Sequence, residues 1–183
     1  GAGYYSVFLE DPKVKAELTA SLRCGYHRYT FEQMEKQHVM LDFNYYNGNR
    51  TLNAKFRVVD DCTIEGVRVV KGWAPKREVY FHAVFSEPFT EVLAKIDSMD
   101  VKPVTEGEGQ RVTLAALFDK PVKELNVQVG ISSVSCEGAR KNYEAEVAEK
   151  SFDEVRQEAE EVWESELSKI RIEASPKDMR IFY

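Results

Sequence analysis

Hydrophobic and polar residues alternate with a period of two through most of residues 1–132. Such alternation predicts strands that bury one face, and turn-forming residues such as Asp11-Pro12-Lys13 and Asn47-Gly48 separate the runs. The strands predicted in this way cover residues 4–10, 14–22, 24–31, 37–44, 52–59, 62–70, 111–118 and 124–132, together with a hairpin inside residues 66–89. Regular spacing without interleaved helices predicts an antiparallel β-sandwich or barrel. The polar residues 97–109 are predicted to form a surface loop.

The hairpin within residues 66–89 carries a tryptophan on its turn, in the sequence Gly72-Trp73-Ala74-Pro75. Beyond the turn, Phe81 and its alternate neighbours lie on one face of a strand. Loops held by a rigid sheet are where binding residues concentrate, so Trp73 is a candidate platform for stacking against a sugar ring. The alternative is that the ring folds back over a sheet edge as part of the core, because tryptophan is usually well buried.

After residue 132 the hydrophobic period changes and predicts helices over residues 135–147 and 151–169. Ser151 and Glu154 have the spacing of a capping box. An apolar stripe at helical spacing follows, and Trp163 within it is predicted to pack in the core. The stripe consists of Phe152, Val155, Ala159, Val162, Trp163, Leu167 and Ile170, and the run of glutamates opposite it is interpreted as a solvated face.

Ser175-Pro176 marks a further helix start, and the sequence stops soon after at Ile181-Phe182-Tyr183. Closing on exposed apolar residues is unusual for a natural terminus, so we expect a fragment of a longer protein.

Composition narrows the function classes. The 183 residues carry a formal net charge of −6 and a sequence pI near 5.3, and the basic residues are dispersed, which argues against a nucleic-acid partner. No apolar run approaches the roughly 18 residues of a membrane span. Cys24, Cys62 and Cys136 are far apart and odd in number, so they indicate free thiols rather than a zinc site or a disulfide framework.

Residues able to carry chemistry are sparse. His38 and His82 are interpreted as ordinary core or surface histidines, and Asp60-Asp61 as turn residues. His27 and Arg28 are adjacent on a predicted strand, so at most one side chain points inward, and a buried arginine there needs an acceptor. No Ser/His/Asp set, phosphate-binding glycine loop or HExxH is present. These residues alone predict a soluble β-sandwich with a helical tail of undetermined function.

A family resemblance goes further. The chain contains, in order, the runs GYYSVFL, KAELTASLRCGYHRYTF, VMLDF, GWAPKREVYFHAVFSEPF and VGISSVSCEGARKNYEAEV. In this order they resemble the amino-terminal domain of the glycoside hydrolase family 92 α-mannosidases, over nearly the whole chain. The resemblance implies a β-sandwich at residues 1–133 and linker helices at residues 134–183 that lead to an (α/α)6 catalytic barrel.

The resemblance also implies an activity. The parent enzyme is expected to be a bacterial, periplasmic or secreted, calcium-dependent exo-α-mannosidase of α-1,2 type that acts on glycans by inversion. Its catalytic carboxylates and calcium ligands are expected in the barrel, and none in this chain. The family's GW element maps onto Gly72 and Trp73, which with His27 and Arg28 are the candidate substrate-binding residues.

Two departures from the family pattern stand out. A Gly- and His-rich stretch that normally precedes the GYYSV run is absent, which predicts missing strands or a trimmed gene product with Gly1 as a tag remnant. Val67 replaces a frequent tyrosine, which leaves linkage specificity open. The alternative function is a self-standing β-sandwich that binds carbohydrate or a protein partner. Burial of the apolar terminal residues within the chain's own core would favour this alternative.

Overall fold

The computed structural model describes residues 1–33, 35 and 37–182, with only the backbone of residue 182. The strands are β1 (Tyr4–Leu9), β2 (Val14–Ala20), β3 (Cys24–Phe31), β4 (Gln37–Asp42), β5 (Arg50–Asp60), β6 (Thr63–Lys71), β7 (Arg77–Phe85), β8 (Glu91–Ile96), β9 (Lys102–Pro103), β10 (Glu106–Gly109), β11 (Val112–Phe118) and β12 (Glu124–Ser132). The helices are α1 (Cys136–Glu146), α2 (Phe152–Leu167) and α3 (Pro176–Phe182).

The strands form two antiparallel sheets of unequal size. The large sheet has eight strands in the order β1-β2-β3-β12-β7-β6-β5-β10, and the small sheet has four in the order β4-β11-β8-β9. Apolar residues from both sheets meet in one core, in which Phe56, Ile64 and Leu114 are among the largest fully buried side chains. The predicted antiparallel β-sandwich is therefore confirmed.

The helices cover the other face of the large sheet. Tyr26 and Cys24 of β3 join Val147, Phe152 and Val155 in a second apolar cluster between that face and the helices. This layer needs close contact at β12, where a Cβ on Gly130 would collide with the Ala139 carbonyl oxygen and lie 2.9 Å from the Tyr143 Cβ. The sheet is thus buried on both faces where the helices lie.

Both long helices begin where the sequence predicts. The Ser135 hydroxyl accepts a hydrogen bond from the Gly138 amide at 3.0 Å and caps α1. At α2 the Ser151 hydroxyl accepts from the Glu154 amide, while the Glu154 carboxylate accepts from the Ser151 amide at 2.8 Å, so the capping box is confirmed. These bonds satisfy amides that helix starts otherwise leave without partners.

The second half of α2 departs from the prediction. Its last buried residue is Ala159, which lies against Gly3 at the start of the chain, and Trp163 beside it is half exposed. The prediction that Trp163 is core is therefore wrong. Val162 is exposed as well, because α2 extends past the edge of the sheet that its first half covers, and Ile170, which follows the helix, is also exposed.

The prediction of a loop over residues 97–109 is also partly wrong. β9 pairs with β8, and β10 pairs with β5, inside that range. Gly107 and Gly109 resemble loop residues in sequence, but in β10 they allow the strand to approach Phe56 and Ile96, where a Cβ would be too close. The strand β8 itself was missed. No helix among the described residues has the length and apolar character to cross a membrane.

Candidate functional site: the loop end of the sandwich

One end of the sandwich gathers the residues of interest. Strand pairing places four connecting segments at the same end of the large sheet, namely the turn 72–76, the loop 43–49, the turn 21–23 and the segment 133–135. The pairs next to these segments are Arg50 with Lys71, Val70 with Arg77, Ser132 with Tyr80, and Gly130 with Cys24. The loop 97–101 of the small sheet lies at this end too, because the Asp97 amide donates to the Arg111 carbonyl next to β11. We call this set of segments the loop end.

Trp73 stands at the loop end with its whole side chain in solvent, at 102% relative exposure. The turn that carries it is closed by a hydrogen bond of 3.1 Å from the Gly72 amide to the Ala74 carbonyl. The interpretation of Trp73 as core is therefore wrong. A fully exposed indole on a short hairpin turn offers a flat apolar face to a ligand, whereas it gives the fold no packing.

Gly72 positions this turn against the neighbouring loop. A Cβ at Gly72 would collide with the Asn49 side chain and lie 2.9 Å from the Gly48 carbonyl oxygen. Only a residue without a side chain permits that approach. Gly72 thus brings the turn 72–76 against the loop 43–49, and its contact with a substrate stays a prediction.

The loop 43–49 adds two aromatic residues that the sequence analysis missed. Tyr45 and Tyr46 are both exposed. The loop is held from below by Arg68, which donates to the Tyr45 carbonyl at 2.8 Å and to the Thr51 hydroxyl at 3.0 Å. The sequence did contain a signal for these residues, because the two tyrosines directly precede the predicted Asn47-Gly48 turn. This resembles the position of Trp73, which is also an aromatic residue at a predicted turn.

The rest of the loop end is unusually apolar for a solvent-facing surface. Leu22 in the turn 21–23 is 89% exposed and Val134 beside α1 is 77% exposed, while Ile131 is exposed to a lesser degree. The projecting half of α2 leaves the sheet at the same end, because Ala159 and Trp163 lie next to Gly3. Apolar residues exposed together in this way mark an interaction surface.

His27 lies away from the loop end, in the middle of β3. Its side chain points into the sandwich, where it lines an apolar cavity of about 240 Å³ between the sheets, and its Nδ1 lies 2.8 Å from the Tyr29 hydroxyl. Burial lowers the pKa of His27, which favours the neutral imidazole. The structure therefore separates His27 from Trp73.

Arg28 points to the opposite face, beneath α2. Its guanidinium donates to both carboxylate oxygens of Glu17, at 3.1 and 3.2 Å, and to Asp153 at 3.1 Å, and it stacks on the Phe152 ring at 4.3 Å. Hydrogen bonding from Arg28 lowers the pKa of the buried Glu17 carboxyl to about 2. The expected opposite orientation of residues 27 and 28, and the acceptor for the arginine, are both confirmed. Arg28 ties α2 to the sheet and is not brought to Trp73.

The remaining candidates have structural partners. His82 is buried and its Nδ1 lies 3.3 Å from Glu65, which also accepts from Arg57. Asp60 accepts from the Cys62 amide at 2.9 Å at the end of β5, as expected of a turn residue. His38 is exposed. Within residues 1–33, 35 and 37–182, no three His, Cys, Asp or Glu side chains come together as a possible metal site.

The three cysteines are free, as predicted from their spacing. Burial raises the pKa of Cys24 to about 11, and burial also raises the pKa values of Cys62 and Cys136. A thiol with a raised pKa is a poor nucleophile at neutral pH. Nucleophilic chemistry by these residues is therefore not indicated.

Known proteins resemble the chain along nearly its whole length. The alpha-mannosidase BT3965 of Bacteroides thetaiotaomicron, from family GH92, has a TM-score of 0.86 and 35% sequence identity over 94% of this chain and 24% of its own, and its structure in complex with mannoimidazole is equally similar. The GH92 family glycosyl hydrolase ccman5 has a TM-score of 0.83 and 27% identity over 94% of this chain and 25% of its own.

The family GH92 inverting mannosidase BT2199 of Bacteroides thetaiotaomicron VPI-5482 has a TM-score of 0.78 at 22% identity over 94% of this chain and 23% of its own, a likeness that shows the fold alone. This chain thus spans about a quarter of the length of these solved relatives. No curated protein sequence matches it.

Sequence families assign both parts of the chain. Residues 138–183 match the glycosyl hydrolase family 92 catalytic domain, and residues 1–132 match the glycosyl hydrolase family 92 N-terminal domain. The match to the N-terminal domain covers more than half of the sequence and coincides with the described sandwich. The chain belongs to glycoside hydrolase family 92.

Proposed function

We propose that this chain is the substrate-shaping, N-terminal part of an inverting, calcium-dependent exo-α-mannosidase of α-1,2 type. Its loop end forms one wall of the sugar pocket, and the remainder of the catalytic domain forms the other. The full exposure of Trp73 on a turn that gives the fold no packing carries this proposal. The solved relative BT3965, an alpha-mannosidase with 35% sequence identity, supports the substrate class.

The distribution of apolar surface supports docking at the loop end. Leu22, Val134 and Trp73 are exposed there, and α2 extends beyond the sheet from the same end with Val162 exposed and Ile170 exposed just after it. Residues 138–183 match the catalytic domain, and the chain spans 24% of the relative BT3965, so the proposed partner is the rest of that domain. Burial of this surface against it would remove the apolar residues from water.

In this arrangement the chain binds and orients the sugar rather than reacting with it. The indole face of Trp73 packs against the apolar face of a mannose ring and excludes water from it. Inversion needs one carboxylic acid to protonate the leaving oxygen and one carboxylate to activate water from the opposite side. The proposal assigns both groups to the remainder of the catalytic domain.

Like the two catalytic carboxyl groups, the calcium ion of the proposed enzyme is assigned to the remainder of the catalytic domain. A hard cation of this size takes six to eight oxygen ligands. Among the described residues, no three His, Cys, Asp or Glu side chains come together as a metal site, and the proposal assigns the calcium ligands to the remainder of the catalytic domain. The proposal also places the protein in the periplasm or outside the cell, where glycans are met, and cell fractionation tests that location.

The experiment is mannose release from α-1,2-, α-1,3- and α-1,6-mannobiose by a protein extended beyond residue 183, with calcium and with EGTA. We expect release that needs calcium, and a KM raised fivefold to tenfold in Trp73→Ala, as loss of one stacking contact predicts. Phe8→Ala is the matched control, because Phe8 is a partly exposed aromatic residue of β1 away from the loop end. Equal KM values for the two variants would contradict the role of Trp73.

A self-standing binding module is the second class of function considered. Full burial of the apolar terminal residues within the chain would favour it, but Ile181 is 74% exposed. The side chain of Phe182 and all of Tyr183 lie outside the described residues. An extended protein that released no mannose from any linkage, while residues 1–183 bound mannosides, would favour the module.

A further inference from the structure

Next to the Trp73 turn, the loop end contains a second concave surface. We name it the Tyr46 cleft; its volume is about 310 Å³ and its lining residues are Asn44, Tyr46, Arg50, Thr51, Gln110 and Arg111. Small-molecule sites have volumes of about 300–1,000 Å³, so the cleft suits a ligand of one ring. Its loop is the one that Gly48 and Asn49 bring against Gly72.

The floor of the cleft is fixed by hydrogen bonds. The Asn44 amide nitrogen lies within 3.0 Å of Asp42, the Val112 carbonyl and the Thr113 hydroxyl, so its two hydrogens are shared among these acceptors, and its oxygen accepts from the Val112 amide at 3.0 Å. Asn44 therefore has little capacity left for a ligand. Its role is to hold the loop 43–49 against β11, so that Tyr46 stands in a defined place.

The walls, in contrast, keep unused hydrogen-bonding groups. Among the described residues, neither the Arg50 nor the Arg111 guanidinium has a hydrogen bond or an ion pair. Gln110 uses only its amide nitrogen, in a long bond of 3.5 Å to the Thr51 carbonyl, so its oxygen remains an acceptor. Both arginines are exposed, so their guanidinium groups can donate to a ligand in the cleft.

The charges around the cleft favour a neutral ligand over an anion. The Asp97 carboxylate accepts from the Gln110 and Arg111 amides, at 3.1 and 2.8 Å, so these amides are not free to bind an anion. The same carboxylate places a negative charge at the backbone of Gln110 and Arg111, on one side of the cleft. A neutral polyol fits better, because its hydroxyls accept from arginine, donate to the Gln110 oxygen and leave an apolar ring face for Tyr46.

We infer that the Tyr46 cleft is an outer subsite for a second, neutral hexose of the glycan whose first sugar meets Trp73. This inference rests on the proposed function, since it presupposes a mannoside at Trp73. It makes the loop 43–49, together with Gln110 and Arg111, a determinant of preference for longer glycans.

The test is a titration of the isotope-labelled chain of residues 1–183, followed by backbone amide and indole NMR signals, with α-1,2-mannotriose and with methyl α-mannoside. We expect mannotriose to shift the amides of Tyr46, Gln110 and Arg111 as well as the Trp73 indole, and to bind at least fivefold more tightly than methyl α-mannoside. Tyr46→Ala and Arg111→Ala should each weaken mannotriose binding about fivefold, as loss of one contact worth about 1 kcal/mol predicts. Tyr5→Ala and Arg171→Ala, at exposed residues outside the cleft, should change it less than twofold.

Three other results would contradict the inference, and each can be told apart from the others. Shifts of the Trp73 indole without shifts in the cleft would remove the outer subsite and leave the proposed function standing. Absence of any shift would also remove the subsite, while mannose release by the extended protein would still decide the proposed function separately. Mannose 6-phosphate bound more tightly than mannose would show that the ligand class is anionic.

Discussion

Replacing Glu17 by glutamine tests the attachment of α2 to the sheet. The Glu17 side chain is 4% exposed and accepts hydrogen bonds from Arg28, from the Tyr4 hydroxyl at 2.6 Å and from Lys15 at 3.2 Å. In Glu17→Gln, the Arg28 guanidinium keeps Asp153, an exposed residue, as its one charged partner among the described residues. A half-buried arginine that loses its main carboxylate is costly to the fold.

The pKa of Glu17 gives the magnitude. A carboxyl whose pKa falls from 4.5 to about 2 stabilises the folded state by about 3 kcal/mol when ionised, since each pH unit corresponds to about 1.4 kcal/mol. Glutamine still accepts one of the hydrogen bonds, so we expect a loss of about 2 kcal/mol at pH 7. For a chain of this length that corresponds to a melting temperature lower by about 4–8 °C.

The effect has a defined pH dependence. Because the folded pKa is depressed, ionised Glu17 stabilises the fold above pH 4.5, and this stabilisation disappears as the pH falls towards 2. Urea unfolding of both proteins at pH 7, 4 and 2.5 should therefore show a gap in unfolding free energy that shrinks with acid. Glu10→Gln is the control, because its exposed pair with Lys13 contributes less than about 0.5 kcal/mol.

Two results would refute this reasoning. Equal urea midpoints for Glu17→Gln and the unmodified chain at pH 7 would show that Arg28 does not depend on Glu17. A gap that stayed constant down to pH 2.5 would show that the loss comes from packing rather than from the ionised carboxylate.

Other predictions concern the turn, the helix cap and the helix layer. Trp73→Ala should leave the unfolding free energy within about 0.5 kcal/mol, because the side chain is fully exposed, and a thermal melt that fell by many degrees would contradict that. Ser151→Ala should cost about 1 kcal/mol by removing the capping box with Glu154, measured by urea unfolding against Ser168→Ala as control. Gly130→Ala should cost at least 2 kcal/mol by pushing α1 off β12, and unchanged near-ultraviolet circular dichroism would argue against the close contact.

The sequence predicted the sandwich well because burial of one strand face leaves a period of two that is visible locally. Opposite orientation of His27 and Arg28 followed from the same period. The capping box at Ser151 was equally visible, since a cap depends on residues three apart. In each case the deciding contacts are close in sequence.

Other features depend on contacts that sequence spacing does not reveal. β10 forms because Glu106–Gly109 pairs with the edge of β5. Its two glycines are typical of a loop in the sequence, but in the fold they permit close contact, Gly107 with Phe56 and Gly109 with Ile96. The exposure of Trp163 depends on where the sheet stops, not on the helical stripe. At the candidate site, the sequence suggested Trp73 as a platform but did not show whether its side chain is exposed or buried. The structure shows that it is exposed.

The attachment of α2 at one end determines how far its other end moves when the helix tilts. The helix has 16 residues and so is about 24 Å long, and its buried contacts, through Phe152, Val155 and Ala159, lie in its first half. A tilt of about 10° at that anchor would move the far end by about 4 Å, and everything carried beyond it, α3 included, would move as well. The ion pairs of Arg28 with Glu17 and Asp153 at this anchor therefore limit how far the exposed end of α2 can move.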